Sequence, residues 1–393
     1  MNVWIIRESE AVTSKTSKKF RYSRLADFFS KQSHKVTFFI SSFDHTSKSQ
    51  RNPLDLSEIA PTIDFILLDS NSYSKHISLR RMLNQFQLAF SFNKKVKLLE
   101  KPDVILCSIP SIQLAKEATK YANKHHVPII LDIVDLWPDL FQHFLPKLVY
   151  FAARPYIWFL RKELEYTINN VDAVTALTDS YLQWGLDYRK HPLNQSKTVP
   201  FGYDSVVVHN LDKSFNVIFV GSITRQFDFD TFFDAVEKLK EVNFTVVGSG
   251  DLMDHYKQKY IGLSNLRWTG WLEAKELENE LKNAGLAIMP YKNLPHFQKN
   301  ITNKFSEYLA YGLPILTGVT GEMKDLLDQH HCGVFYSNSE ELIHQILDYK
   351  NNPDKLIEHS NNALKLQRDH FDIDKINEVF LNFIEEVHSR YHH

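Results

Sequence analysis

The chain has 393 residues, more than one hydrophobic core usually serves, so two domains are expected. With 43% hydrophobic residues, 24% charged residues and a net charge of −1, it reads as an ordinary globular protein. That balance excludes a whole-surface nucleic-acid binder, and two cysteines exclude a disulfide framework and a cysteine-built zinc site.

The opening "MNVWIIRESE" reads as a short strand, with no charged region ahead of a long apolar one, so no signal peptide is expected. Strand-like runs at 3–7, 35–42, 65–68, 103–109 and 128–134 then alternate with helical runs at 23–32, 78–100 and 111–125. Short apolar strands separated by helices indicate parallel strands covered on both faces. The most apolar stretch, "LVYFAARPYIWFL" (148–160), contains Arg154 and Pro155 and is shorter than the roughly 20 residues a membrane span needs.

The alternation restarts at "FNVIFVGS" (215–222) and continues through "NFTVVGSG", "LRWTGW", "LAIMPY", "PILTGV" and "GVFYS". The expected fold class is therefore α/β, with two doubly wound Rossmann-like domains facing across a cleft. The domains are placed at 1–208 and 209–373, with "HNLDKS" (209–214) as the link. A last helix at 374–393 either crosses back to the first domain or stays with the second. All twelve glycines lie between Gly185 and Gly333, so a glycine-rich dinucleotide turn after the first strand is excluded. A phosphate-bearing ligand is expected in the second half.

Several blocks in this order resemble the retaining GT-B glycosyltransferases of the GT4, or group 1, type, closest to bacterial surface-polysaccharide enzymes. "QSHKVTFF", "LDIVDLWPD", "VPFGYD", "VIFVGSI", "VVGSGD", "AGLAIMPY" and "NKFSEYLAYGLPIL" carry the resemblance. It implies an N-terminal acceptor domain, a C-terminal nucleotide-sugar domain, and transfer of a hexose-type sugar to an acceptor hydroxyl in polysaccharide or glycoconjugate synthesis. It also implies no cofactor and no metal, the nucleotide-diphosphate sugar, with UDP the expected nucleotide, serving as co-substrate. No Asp-x-Asp pair sits at a strand end. Two other readings stand beside it: an epimerase of the same architecture, and a non-catalytic partner in a polysaccharide assembly complex.

The resemblance gives Glu307 the ribose hydroxyls, a task suited to a carboxylate because its two oxygens accept from both members of a diol. The plainer reading is a first-turn Glu on a helix dipole. Arg225 and Lys304 are assigned the leaving diphosphate, or else are surface cations. Gly221, Ser222, Tyr291, His296, Thr302 and Asn303 complete the expected donor contacts. Many relatives carry a second Glu where this chain has Lys299, so His296 or Asn300 is the candidate substitute, His296 otherwise being an exposed loop histidine. In the first half, Asp135 is the candidate catalytic acid or base, with Asp139 as alternative and a turn or cap role as the plain reading. Arg21, Tyr22 and Arg24 either meet an anionic acceptor or decorate a helix start. The segments 74–97 and 144–162 mix cations with Leu, Phe and Trp at helical spacing. They are either core-facing helices or a surface for an anionic membrane. The expected location is the cytoplasm, at or near the inner face of the cell membrane.

Overall fold

The computed structural model describes every residue except 11–19, 46, 54–55, 57–59, 74–77, 194, 207–214 and 393. The chain forms two compact units, Met1–Val199 with Asn377–His393, and Pro200–Ile376. The change of unit thus falls at Val199 and Pro200, ahead of the expected link 209–214, which lies outside the described residues.

In the first unit, β1 (Asn2–Ile6), β2 (Lys35–Ser41), a small hairpin of β3 (Phe43–Asp44) and β4 (Ser49–Gln50), β5 (Asp64–Leu68), β6 (Val104–Ile109), β7 (Ile129–Ile133), β8 (Ala173–Ala176) and β9 (Ser196–Thr198) follow one another. Seven of them make a parallel sheet in the order β5-β2-β1-β6-β7-β8-β9. The order reverses at β1, the place where open α/β sheets present ligand-binding loops. β6 and β7 are buried along their whole length, which is why their sequences are unbroken apolar runs rather than alternating ones.

Two helices of this unit turn their apolar side outward. Leu79–Lys95 buries Asn84 and Ser91 with Leu88, Ala89 and Phe92, while Leu79, Leu83, Phe86 and Phe90 stand exposed. The inward polar groups explain the choice. Asn84 Nδ2 donates to the Asn71 carbonyl at 2.7 Å, and Ser91 Oγ to Asp69 Oδ2 at 2.9 Å. In Lys147–Asn169 the described burial begins at Ile157, and Leu148, Val149, Phe151 and Trp158 are exposed. The two helices meet where the Phe86 and Phe159 rings lie 6.2 Å apart. Among the described residues no helix is long and apolar enough to cross a membrane.

The second unit contains β10 (Asn216–Val220), β11 (Asn243–Val247), β12 (Leu266–Gly270), β13 (Leu286–Met289), β14 (Ile315–Thr317) and β15 (Gly333–Phe335). They form one parallel sheet in the order β12-β11-β10-β13-β14-β15. Alternation along β10 supplies both faces: Val217 and Phe219 enter one apolar cluster, Ile218 and Val220 the other. The order reverses between β10 and β13, and their C-terminal ends hold the residues that follow.

Candidate functional site

Beyond β10 the backbone is tightly packed. Gly248 has φ +127°, and a Cβ there would sit 2.0 Å from the Gly221 carbonyl oxygen. The loop after β10 and the loop after β11 therefore touch main chain to main chain, with Ile223 N donating to Ser249 O at 3.0 Å. Gly221 forms part of this contact, and Ser222 is exposed beside it. Arg225 projects from the same loop, exposed and without an ion-pair partner among the described residues. The loop is pinned on its far side by Asp228 N to Pro290 O (2.6 Å) and Lys292 N to Gln226 O (3.0 Å).

Opposite β10 stands the helix Asn303–Ala310, preceded by Thr302 as its N-cap residue. Val220 N donates to the Tyr308 hydroxyl oxygen at 2.8 Å, which fastens this helix to the end of β10. Glu307 lies in the second turn and is 0% exposed. The first-turn role is thereby ruled out, since the first turn contains no acid. Lys304 precedes it by three residues, a spacing that brings side chains together on a helix. Its ammonium meets Glu307 Oε2 at 2.5 Å, with the lysine side chain 26% exposed. Arg225 and Lys304 thus differ: one has no ion-pair partner among the described residues, the other is held on the acid.

Tyr291 packs its ring 4.4 Å from Phe227 and 4.6 Å from Phe297, centroid to centroid, and burial pushes its hydroxyl up to about 12. It braces the loop as much as it lines it. His296 is buried, not exposed on a loop, with its ring 4.2 Å from that of Phe297. Asn303 is exposed at the helix start, and Lys299 is exposed while Asn300 is half-buried. Tyr308 lies on the helix of Glu307, and the ring of Tyr203 lies 6.1 Å from that of Tyr311, just beyond the end of the helix. No role is expected for these three from their blocks, because the contacts of Tyr308 with β10 and of Tyr203 with Tyr311 join distant stretches. All three lie in quoted blocks, Tyr203 in "VPFGYD" and Tyr308 and Tyr311 in "NKFSEYLAYGLPIL".

In the first unit Asp135 follows β7. Its Oδ1 accepts from Leu136 N and its Oδ2 from the Trp137 indole N–H, both at 3.1 Å. Burial raises its carboxyl above the usual range, against the lowering effect of those bonds. Asp139 is occupied by Trp184 Nε1 at 2.8 Å, the Tyr188 hydroxyl at 3.1 Å and Arg161 at 2.8 Å. That is a packing role. Arg21 and Tyr22 also turn inward: Arg21 Nε and the Tyr22 hydroxyl reach the wholly buried Asp132 at 3.2 and 2.6 Å. Phe380 lies 5.2 Å from the Arg21 guanidinium. Their polar groups are spent on the core of the unit, whereas Arg24 lies half-buried on the same helix. Glu10 accepts from Tyr22 N and Ser23 N, both at 2.9 Å, and so caps that helix from outside its own turn.

Residues 214–352 match the family model described as glycosyl transferases, group 1. A Bacillus subtilis protein named as a teichuronic acid biosynthesis glycosyltransferase, TuaH, is 31% identical over 102 residues, covering 25% of this chain and 25% of its own length. Sucrose-phosphate synthase from Thermosynechococcus elongatus has a TM-score of 0.76 at 12% identity, covering 99% of both chains. Anabaena HepE, solved with UDP, has a TM-score of 0.70 at 13% identity, covering 98% of this chain and 100% of its own. WaaG, a glycosyltransferase involved in lipopolysaccharide biosynthesis, has a TM-score of 0.65 at 12% identity, covering 97% and 99%. The GT-B fold extends over nearly the whole chain, and its second unit carries the group 1 sequence type.

Proposed function

We propose that this chain, GT-B in fold and of the group 1 type over residues 214–352, moves a sugar from a nucleotide-diphosphate donor to an acceptor hydroxyl. The observation that carries this reading is Glu307, a wholly buried acid at the switch point of the second sheet with a lysine on it. A buried carboxylate needs partners, and a ribose diol supplies two O–H donors. UDP is the favoured nucleotide, since HepE, similar in fold, is solved with UDP and with UDP-glucose. Retention at the anomeric carbon and independence of metal belong to the same reading and rest on the group 1 resemblance. Arg225 and Lys304 would neutralise the diphosphate as it leaves. In the first unit Asp135 is the acid or base for the acceptor, which we take to be a glycan or lipid-linked hydroxyl.

Peripheral contact with an anionic membrane is part of this proposal. Segments 74–97 and 144–162, of which 74–77 lie outside the described residues, contain no acid, yet carry Arg80, Lys94, Lys97 and Lys147, which form no close ion pair among the described residues. These cations border the outward apolar stripes of two touching helices, a pattern that suits a lipid interface.

The test is to incubate the purified protein with UDP-sugars and a lipid-linked acceptor, with and without EDTA, and to follow released UDP and glycosylated product. Product with undiminished yield in EDTA is expected. UDP-sugar left intact, or returned only as an epimer, would overturn the transferase reading.

A further inference from the structure

Loops of the first unit meet beyond the C-terminal ends of its strands. Tyr73 follows β5, Glu8 follows β1, and the β3–β4 hairpin carries His45 and Lys48. The Tyr73 hydroxyl lies 2.9 Å from His45 Nδ1, and the Lys48 ammonium 3.3 Å from the same nitrogen. An ammonium only donates, so Nδ1 is the acceptor, and the tyrosine hydroxyl donates to it as well. Lys48 Nζ also stands 5.3 Å from the centre of the Tyr73 ring, and the Arg81 guanidinium stands 5.8 Å from it. One buried aromatic ring thus has two cations on it.

Lys48 brings a charge that no carboxylate answers. It is exposed and forms no ion pair among the described residues, whereas Arg81 faces Glu8 Oε1 at 3.9 Å. Lys48 also has φ +57°, a region that residues other than glycine rarely take, and its N–H donates to Asp44 O at 2.9 Å. Glycine would make this turn without steric cost; lysine sets a cation over Tyr73 instead. An ammonium beside a guanidinium suits a phosphate, with three oxygens and up to two charges, better than a carboxylate with two oxygens and one charge. The C-terminal ends of the strands are also where open α/β sheets bind ligands. Arg21 and Tyr22, expected to meet an anionic acceptor, are spent on Asp132. We propose that Lys48 and Arg81, set on Tyr73, bind a phosphate group carried by the acceptor. The inference rests on the transferase reading for the ligand's role, and on this unit alone for its chemistry.

Titration calorimetry in excess UDP, which fills a diphosphate site in the second unit, tests it with geranyl phosphate, glucose 1-phosphate and glucuronate. Wild type should bind at least one phosphate probe. Lys48→Asn, which tolerates the left-handed backbone, should weaken that probe about three- to tenfold, and so should Arg81→Gln. Neither change should alter the affinity for UDP titrated alone. Preference for geranyl phosphate would put the phosphate on a lipid, preference for glucose 1-phosphate on a sugar, and equal binding would mean that the phosphate alone is read. Glucuronate bound as tightly as the better phosphate probe overturns the phosphate assignment. No binding of either phosphate probe, or binding that a folded Lys48→Asn protein retains in full, overturns the site. Binding that depends on Lys48 in a protein that does not take UDP sustains the site and removes the donor reading.

Discussion

Lys304 and Glu307 are partners before any ligand binds, and that pairing sets what each substitution should do. The sequence places both residues on one helix but divides them between diphosphate and ribose. Geometry at i, i+3 adds a contact between them that a role-by-role reading omits. Lys304→Met should therefore cost about 1–3 kcal/mol of stability, because it leaves a buried carboxylate with fewer donors. It should also weaken UDP far more than uridine. Chemical denaturation together with titration of both ligands checks this pair of outcomes. Equal weakening of uridine and UDP would remove the diphosphate role. Asp135 makes a different prediction. Because burial raises its carboxyl, the acid limb of kcat/KM should lie above the ordinary carboxylate range of about 4. The same shift makes its contribution to stability greatest at low pH and smaller as pH rises through the raised value. Asp135→Asn should abolish turnover and flatten that stability profile. A variant that retains the limb would assign it to another group.

At the level of elements, the strands were legible because buried parallel strands have to be apolar, and β6, β7, β10 and β13 lie where the apolar runs predict. Helix orientation was not. Amphipathic spacing in 79–95 reveals two faces but not which one the sheet takes, and here Asn84 and Ser91 turn inward to hydrogen bonds while Phe86 and Phe90 turn out. The same outward stripes motivate a liposome test. Arg80→Glu with Lys94→Glu and Lys97→Glu should reduce flotation with anionic vesicles several-fold, each cation near such a surface contributing about 1 kcal/mol. Arg81 and Lys95 are left intact because they face Glu8 and Asp69 within the unit. Wild type that ignores anionic vesicles at low salt would end the membrane proposal. The loops after β10 and β11 give a further test. Gly248→Ala should destabilise the protein by about 2–4 kcal/mol, since φ +127° and a 2.0 Å approach to Gly221 O leave no room for a methyl group. An unchanged thermal midpoint would contradict that packing.

For the whole molecule, two repeats of strand and helix announced two units, and the ordered motifs announced the GT-B frame. The change of unit and the place of Tyr203 beside Tyr311 were not readable, because contacts such as Tyr203 to Phe371 join stretches far apart in sequence. Ligand binding should stabilise the folded chain by mass action, so UDP should raise the thermal midpoint in a concentration-dependent way. On the proposed reading, the buried acid at the end of the second sheet holds the donor's ribose. Calorimetric titration of wild type and Glu307→Ala with uridine and UDP tests it most directly. Losing hydrogen bonds to a charged acceptor should cost about 1.5–3 kcal/mol, so both ligands should weaken together by roughly ten- to a hundredfold. Undiminished affinity for both in a folded Glu307→Ala protein would contradict it.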